Sequence, residues 1–164
     1  MKTYQTYSSE ETKKLGAELA RQVLGFRLKV LGKNKRALIY NRTRNKCALI
    51  LALKGDLGTG KTTFTQGFLK GLGVKGRVSS PTFVLIKTYN LRHMNYNRVH
   101  HIDAYRLKKP KELLDLGLKE ILEDPKSIAL IEWAEKLKRY LPKDAVWVGF
   151  KHRAEKEERV IKIP

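Results

Sequence analysis

Apolar residues in this sequence fall into short runs separated by polar and glycine-rich stretches. The clearest run extends from Cys47 to Leu53, and its seven consecutive apolar residues predict a buried β-strand. After a glycine-rich turn, Phe64, Phe68 and Leu72 recur every four residues, which predicts an amphipathic helix. Gly73 directly after this pattern is typical of a helix C-terminal cap. We therefore expect the chain to be organised around a strand, a loop and a helix.

Upstream of this unit the pattern predicts one helix and then loses its period. Ser8 and Glu11 fit a capping box at the start of a helix with an apolar stripe. The stripe consists of Leu15, Leu19 and Val23. Residues 26–46 carry many Lys and Arg side chains and no acid, which predicts an extended loop or partial hairpin.

Downstream of the unit, strands and helices alternate. Residues 77–89 and 98–105 predict two strands, and the short polar turn between them suggests an antiparallel hairpin. The later elements are, in order, a helix at 110–124, a buried strand at 127–133, a helix at 134–141 and strands at 145–151 and 159–163. This alternation indicates an α/β fold.

The composition is that of a globular protein with a strong positive charge. A length of 164 residues suits a single domain over 1–164, with a basic insertion at about 26–46. One cysteine, Cys47, excludes a disulfide framework and favours a reducing cytoplasm. We expect no membrane association, because the N-terminus lacks a secretory signal and no apolar run could cross a bilayer. The formal net charge of +19 suits contact with nucleic acid, acidic protein or an anionic surface.

The glycine-rich turn carries a complete phosphate-binding motif. Residues 55–62, Gly-Asp-Leu-Gly-Thr-Gly-Lys-Thr, fill every position of G-x-x-x-x-G-K-[ST] in the order of strand, loop and helix. Glycines let backbone N–H groups approach phosphate oxygens, and the helix N-terminus adds positive potential. Lys61 can reach the β- and γ-phosphates, and the Thr62 hydroxyl can bind Mg²⁺. The expected ATP-binding residues are Asp56, Leu57, Gly58, Thr59, Gly60, Lys61, Thr62 and Thr63. The motif therefore predicts a three-layer α/β P-loop fold around a mixed, mainly parallel sheet.

Two carboxylates are candidates for chemistry beside this loop. Glu132 ends an apolar strand, where ligands collect in α/β sheets, so we expect it to bind Mg²⁺ directly or through water. The alternative is a solvated glutamate at a strand end. Asp103 ends another strand and is expected to orient the attacking water or the metal shell, or else to form an ion pair with Arg106 or a loop lysine. Lys61, Asp103 and Glu132 are therefore the candidate catalytic residues.

Other polar residues near these strands are open to two interpretations. The Ser80-Pro81-Thr82 loop is expected either to sense the γ-phosphate or to form a simple strand entry. His100 and His101 alternate across a strand, so they are not expected to face one site, and zinc is not expected. Trp133 is interpreted as a packing residue, and the alternative is that it supports the site.

Four motifs in series resemble one protein family. They are Gly-Asp-Leu-Gly-Thr-Gly-Lys-Thr-Thr at 55–63, Ser-Pro-Thr-Phe at 80–83, His-Ile-Asp-Ala-Tyr-Arg-Leu at 101–107 and Glu-Trp at 132–133. Their order and spacing are similar to those of TsaE (YjeE), the bacterial ATPase family required for the threonylcarbamoyladenosine modification of tRNA. The phosphate-binding motif alone is unspecific, but the series is highly specific.

The resemblance implies a small P-loop ATPase that works with TsaD and TsaB, the proteins that transfer the threonylcarbamoyl group to adenosine 37 of tRNA. Hydrolysis in that family is thought to reset the complex between turnovers, and tRNA is expected to be reached through the complex. Carried over by motif, Lys61 contacts phosphate, Thr62 and Glu132 bind Mg²⁺, and Asp103 has a catalytic or metal-shell role. The departure is the basic segment 26–46, where the family usually has a short connection.

Two rival functions remain open at this level. A small nucleoside or small-molecule kinase shares the P-loop, but it needs an acceptor pocket and usually an arginine-rich lid, which this short chain does not clearly contain. A non-enzymatic RNA-binding module suits the charge, but the complete P-loop argues against it. Stimulation of ADP release by a nucleoside substrate would favour the kinase. Mg²⁺-dependent binding of ATP would argue against the RNA-binding module.

The basic segment generates the first testable prediction. If it contacts tRNA phosphates or an acidic partner, replacing its basic residues with Ser or Gln spares ATP binding but weakens tRNA or partner binding. Binding of tRNA should then lose roughly one unit of log–log salt slope per lost phosphate contact, because fewer counterions are released. The residues to replace are Arg27, Lys29, Lys33, Lys35, Arg36, Arg42, Arg44 and Lys46. Equal salt slopes for both proteins would instead indicate a solvated loop.

Overall fold

The computed structural model describes residues 1–25, 47–76, 78–81, 84–152 and 158–164. The predicted basic insertion at 26–46 lies outside the described residues, as do Thr82 and Phe83 of the Ser-Pro-Thr-Phe motif. Among the helices that are described, none combines the length and apolar character needed to span a bilayer.

The described residues form one mixed sheet with helices on both faces. The strands are β1 (Lys2–Thr6), β2 (Leu49–Lys54), β3 (Ile86–Asn90), β4 (Arg98–Asp103), β5 (Ser127–Glu132), β6 (Val146–His152) and β7 (Arg159–Ile163). The helices are α1 (Ser9–Val23), α2 (Lys61–Gly71), α3 (Lys111–Asp115) and α4 (Leu118–Glu123), with a single 3₁₀ turn at Ala134–Leu137. The strand order is β1-β7-β6-β2-β5-β4-β3.

The centre of the sheet is parallel and its flanks are antiparallel. Strands β6, β2, β5 and β4 run parallel to one another, whereas β3, β7 and β1 are each antiparallel to their neighbours. Because β2 and β5 are covered on both faces, all but one of their residues are buried and they read as continuous apolar runs. The predicted α/β class and the β3–β4 hairpin are confirmed.

Two apolar cores separate the layers. Alternate residues of β2 point to opposite faces, so Leu51 packs with α1 and α2 while Ile50 packs with α3 and α4. Helix α1 begins as predicted, because the Ser8 side chain accepts a hydrogen bond of 3.1 Å from the Glu11 N–H. The Glu11 carboxylate reaches back to the Tyr7 N–H at 2.8 Å. The three-layer arrangement is therefore confirmed.

Three boundaries differ from the sequence-based expectations. The predicted helix at 110–124 is broken into α3 and α4, because Gly117 adopts a left-handed φ of 85°. The predicted helix at 134–141 is one 3₁₀ turn at Ala134–Leu137. Strand β3 begins at Ile86 rather than 77, because the Pro81 carbonyl accepts hydrogen bonds from Val84 and Leu85 in a turn.

Strand β1 was not expected, because its residues include no apolar run. It pairs antiparallel with β7 from Lys2 opposite Ile163 to Thr6 opposite Arg159. Only Thr6 of its five residues is buried. Strand β1 therefore lacks the pattern of apolar residues by which a buried strand is recognised in a sequence.

Close packing of α1 against α2 fixes the helix that follows the phosphate-binding loop. A Cβ atom built on Gly67 would lie 1.9 Å from the Lys13 carbonyl oxygen, and one on Gly71 would lie 2.7 Å from Ala17 Cα. Neither close neighbour is the end of a flexible side chain, so the two helix backbones could not remain this close with a larger residue.

We predict that Gly67→Ala lowers the free energy of unfolding by about 2 kcal/mol or more, because overpacking outweighs the gain in helix propensity. The measurement is the urea midpoint at unchanged m-value. Gly149→Ala is the matched control, since its added Cβ would meet its nearest atom at 3.7 Å. It should change stability by no more than about 0.5 kcal/mol. Equal midpoints for both variants would contradict this account of the helix contact.

Candidate functional site

The candidate site lies at the carboxyl ends of β2, β4 and β5. Parallel pairing places Leu53 of β2 opposite Glu132 of β5, and Glu132 opposite Asp103 of β4. The loop 55–60 leaves β2 at this edge and leads into α2 at Lys61. Since neighbouring parallel strands end at the same edge, both carboxylates lie beside the glycine-rich loop.

Glycine is required at two positions of this loop. Gly55 has a φ of 142°, and a Cβ atom there would lie 2.3 Å from the Phe150 carbonyl oxygen of β6. Gly60 is the N-cap of α2 with a left-handed φ of 93°. The loop therefore curls against the sheet and directs the N-terminal N–H groups of α2 into its concave side, which is an anion-binding arrangement.

Lys61 lies inside this loop. Its ammonium donates hydrogen bonds to the Gly55 carbonyl at 2.6 Å and the Asp56 carbonyl at 2.7 Å, and the side chain is buried. Burial lowers the pKa of Lys61, although the nearby carboxylates, Glu132 foremost among them, act to raise it. The loop therefore holds a desolvated cation where an anionic ligand would enter.

The Thr62 hydroxyl and the Glu132 carboxylate are joined directly. Thr62 Oγ1 donates to Glu132 Oε2 at 2.7 Å. The other carboxylate oxygen, Oε1, lies 2.8 Å from Nε2 of His101. Glu132 is only 1% exposed, so the alternative of a solvated glutamate at a strand end is wrong.

Asp103 is held by a different set of donors. Its Oδ2 accepts a 2.6 Å hydrogen bond from the Ser80 hydroxyl, and its Oδ1 accepts one of 2.9 Å from the Tyr105 N–H. Its own N–H donates to the carbonyl of Leu85, which has a left-handed φ of 61°. The loop containing Ser80 is therefore joined to the Asp103 carboxylate by a hydrogen bond.

An aromatic pair closes one side of the site. Trp133 directly follows β5 with a φ of 58°, and its ring lies under the Lys61 ammonium at 3.9 Å from centroid to Nζ. The Tyr105 ring lies 4.9 Å from the Trp133 ring. Trp133 thus contacts the site, which the sequence offered only as the less favoured interpretation, because a left-handed turn after β5 cannot be seen in the pattern.

These groups surround one open cleft of about 390 Å³. Of the residues expected at the site, Leu57, Gly58, Gly60, Lys61, Thr62, Thr63, Asp103 and Glu132 line it. Hard oxygen donors from Thr62, Glu132 and Asp103 line the same cleft as the Lys61 ammonium, and this donor set fits Mg²⁺ with an anionic ligand. The remaining expected residues, Asp56 and Thr59, brace the loop, since Thr59 Oγ1 donates to the Asp56 carbonyl at 2.7 Å.

The two histidines of β4 face opposite sides of the sheet, as expected. His100 lies within hydrogen-bonding distance of Thr88 and Ser127, whereas His101 contacts Glu132. Sequence reasoning missed His101 as part of the site. The signal was present, because His101 and Asp103 are two residues apart on a strand and therefore share one face.

Comparison with known proteins identifies close relatives of the chain. A family model described as "Threonylcarbamoyl adenosine biosynthesis protein TsaE" matches residues 6–161. The tRNA threonylcarbamoyladenosine biosynthesis protein TsaE of Haemophilus influenzae is 40% identical over 115 residues, covering 70% of each chain. The protein of the same name from Bacillus subtilis is 43% identical over 112 residues, covering 68% of this chain and 66% of the relative. The crystal structure of Bacillus subtilis YdiB aligns with a TM-score of 0.66 at 30% identity, covering 99% of this chain and 83% of that one.

Proposed function

Because the chain belongs to the TsaE family, which takes part in tRNA threonylcarbamoyladenosine biosynthesis, we propose that it is a Mg²⁺-dependent ATPase of that pathway. The observation that carries the proposal is the buried Lys61 ammonium at the N-terminus of α2, with Thr62, Glu132 and Asp103 around the same cleft. A desolvated cation beside free helix N–H groups favours a polyphosphate over a neutral ligand.

Lys61 and the loop backbone are assigned to phosphate binding. In this proposal the Lys61 ammonium exchanges its bonds to the Gly55 and Asp56 carbonyls for the β- and γ-phosphate oxygens. Its positive charge would then stabilise the negative charge that develops on those oxygens while the γ-phosphoryl group is transferred to water. Trp133 keeps water away from one side of the ammonium.

Thr62 and Glu132 are assigned to holding Mg²⁺. The metal ion supplies charge neutralisation of the β- and γ-phosphate oxygens when bound. The single hydroxyl proton of Thr62 is directed to Glu132 Oε2, which leaves the oxygen lone pairs of Thr62 available to a cation. From the end of β5, Glu132 would offer the remaining lone pairs of its carboxylate to Mg²⁺, directly or through a water molecule.

Asp103 is assigned to the attacking water. The water oxygen would attack the γ-phosphorus as the bond to the bridging oxygen breaks. ADP would leave with that oxygen, and one water proton would pass to an oxygen of the released phosphate. Asp103 would accept a hydrogen bond from this water, with its carboxylate plane set by Ser80 and by the Tyr105 N–H. Ser80 then links water orientation to the loop that precedes β3.

The proposal includes TsaD and TsaB as partner proteins, with tRNA reached through that complex, as the family resemblance implies. The mouth of the cleft supports a partner surface, because Leu57 is 67% exposed and Tyr105 is 40% exposed beside the polar site. Apolar side chains at the rim of a charged cleft are a common feature of a surface that another protein covers.

The experiment that tests this proposal is steady-state ATP hydrolysis by the chain alone and with TsaB and TsaD added. We expect Mg²⁺-dependent hydrolysis that increases with the partners. We expect Lys61→Ala to lower the hydrolysis rate by about 100-fold or more and to weaken ATP binding, because the phosphate charge is left uncompensated.

Lys54→Ala is the matched control for Lys61→Ala. Lys54 ends β2 one residue before the loop, is exposed, and lies 5.9 Å from the Trp147 ring rather than in the cleft. This variant should hydrolyse ATP at the wild-type rate. A folded Lys61→Ala protein with unchanged hydrolysis would rule out the P-loop assignment.

A further prediction separates the two carboxylates. Glu132→Ala should raise the half-saturating Mg²⁺ concentration by about tenfold or more, because a metal-holding group is lost. Asp103→Asn should lower kcat by about 100-fold while sparing ATP affinity, because it orients water. Both quantities come from Mg²⁺ titrations of binding and hydrolysis. A larger Mg²⁺ defect in Asp103→Asn would reverse the two assignments.

A further inference from the structure

We propose that His101 is the positioning residue that orients the Glu132 carboxylate for the metal ion. This inference rests on the proposed function, because it assigns the metal-holding role to Glu132. His101 itself touches neither the phosphate-binding loop nor the mouth of the cleft among the described contacts, so its effect is transmitted through Glu132.

The contact between the two side chains is direct and fully enclosed. His101 Nε2 lies 2.8 Å from Glu132 Oε1, and the side chains are 0% and 1% exposed. An ionised carboxylate can only accept hydrogen bonds, so the ring donates from Nε2. The other ring nitrogen, Nδ1, is buried and has no hydrogen-bond partner in the part of the chain that the structure describes. Among the described residues, the polar contact of the His101 side chain is therefore the one with Glu132.

The two oxygens of Glu132 have distinct neighbours as a result. Oε1 is held by His101 and Oε2 by the Thr62 hydroxyl, so the carboxylate plane is fixed at both ends. Loss of the donor at Oε1 would leave a buried acceptor unpaired, which is unfavourable and favours rotation toward another donor. Rotation would also move Oε2 away from the Thr62 hydroxyl, the other group that would hold the metal ion.

Strand geometry explains why the donor comes from β4. His101 and Asp103 are two residues apart on that strand, so both side chains emerge on the same face. Register places Asp103 opposite Glu132 and His101 opposite Leu130 on β5. One short segment of β4 thus delivers the residue that orients water and the residue that orients the metal-holding carboxylate. This is a physical reason for the His-x-Asp spacing.

His100 provides a matched control on the same strand. It is also buried, at 5% exposure, but it lies within hydrogen-bonding distance of Thr88 at 2.9 Å and Ser127 at 3.2 Å. Replacing it removes a buried imidazole one residue away without touching Glu132. Any general effect of losing a histidine from β4 should therefore appear in both positions.

The test compares His101→Leu, His101→Gln and His101→Asn with His100→Leu and the wild-type protein. The first readout is the half-saturating Mg²⁺ concentration for ATP binding, measured by calorimetry, with ATP affinity in EDTA as the metal-free reference. The second is kcat. Thermal unfolding of each variant reports whether it is folded.

We expect His101→Leu to raise the half-saturating Mg²⁺ concentration about tenfold and to lower kcat, with unchanged ATP affinity in EDTA, as for other residues that orient metal ligands. His101→Gln should restore the Mg²⁺ requirement and kcat most of the way to their wild-type values, because its amide nitrogen extends about as far as Nε2 of histidine. The shorter His101→Asn should not. His100→Leu should lower stability and leave the Mg²⁺ requirement unchanged.

A folded His101→Leu with the wild-type Mg²⁺ requirement would overturn this inference alone, and so would an equal Mg²⁺ requirement for His101→Gln and His101→Asn. If His101→Leu does not fold, the comparison of Gln with Asn decides, since both replacements are polar and differ in reach. Failure of the wild-type protein to bind ATP would instead overturn the proposed function, and this inference with it.

Discussion

The parallel pairing of β4, β5 and β2 is the constraint on which the rest of the site depends. The register that sets Asp103 opposite Glu132 and Glu132 opposite Leu53 brings two acids to the loop that leaves β2. A shift of one residue in either pairing would turn these side chains to the other face of the sheet. The apolar residues of β5 hold that register because they alternate between two close-packed cores, and a slip would exchange the side chains that fit each core.

Burial of so many polar groups is tolerable because each of the main ones has a partner. Lys61 is bonded to loop carbonyls, Glu132 to Thr62 and His101, and Asp103 to Ser80 and the Tyr105 N–H. In a site of low dielectric, such a network orients its members more firmly than a solvated cluster would. The residues that the proposed function assigns to ligand binding are therefore already oriented by the chain itself.

The sequence predicted local and contiguous features well. The strand, loop and helix around Lys61 are encoded by adjacent residues. The apolar run that ends in Glu132 likewise indicates that this carboxylate lies at the edge of the sheet. The errors arose where conformation at one residue decides the outcome. Gly117 at a φ of 85° divides one predicted helix into two, and Trp133 at a φ of 58° ends β5 in a turn. The contact of His101 with Glu132 could not be read from either strand alone, since it depends on how β4 and β5 are aligned.

The two hydrogen bonds that Lys61 makes to its own loop have a consequence for the lifetime of a complex. A lysine held against an apolar wall without hydrogen-bond partners would gain the full interaction with an incoming anion. In the proposed function, the ammonium would give up these two carbonyl partners on binding and regain them on release, so part of the attraction would cancel. The loop carbonyls would thus compete with the bound anion for the lysine ammonium. If the chain acts as proposed, this exchange would favour release of the product over its long retention.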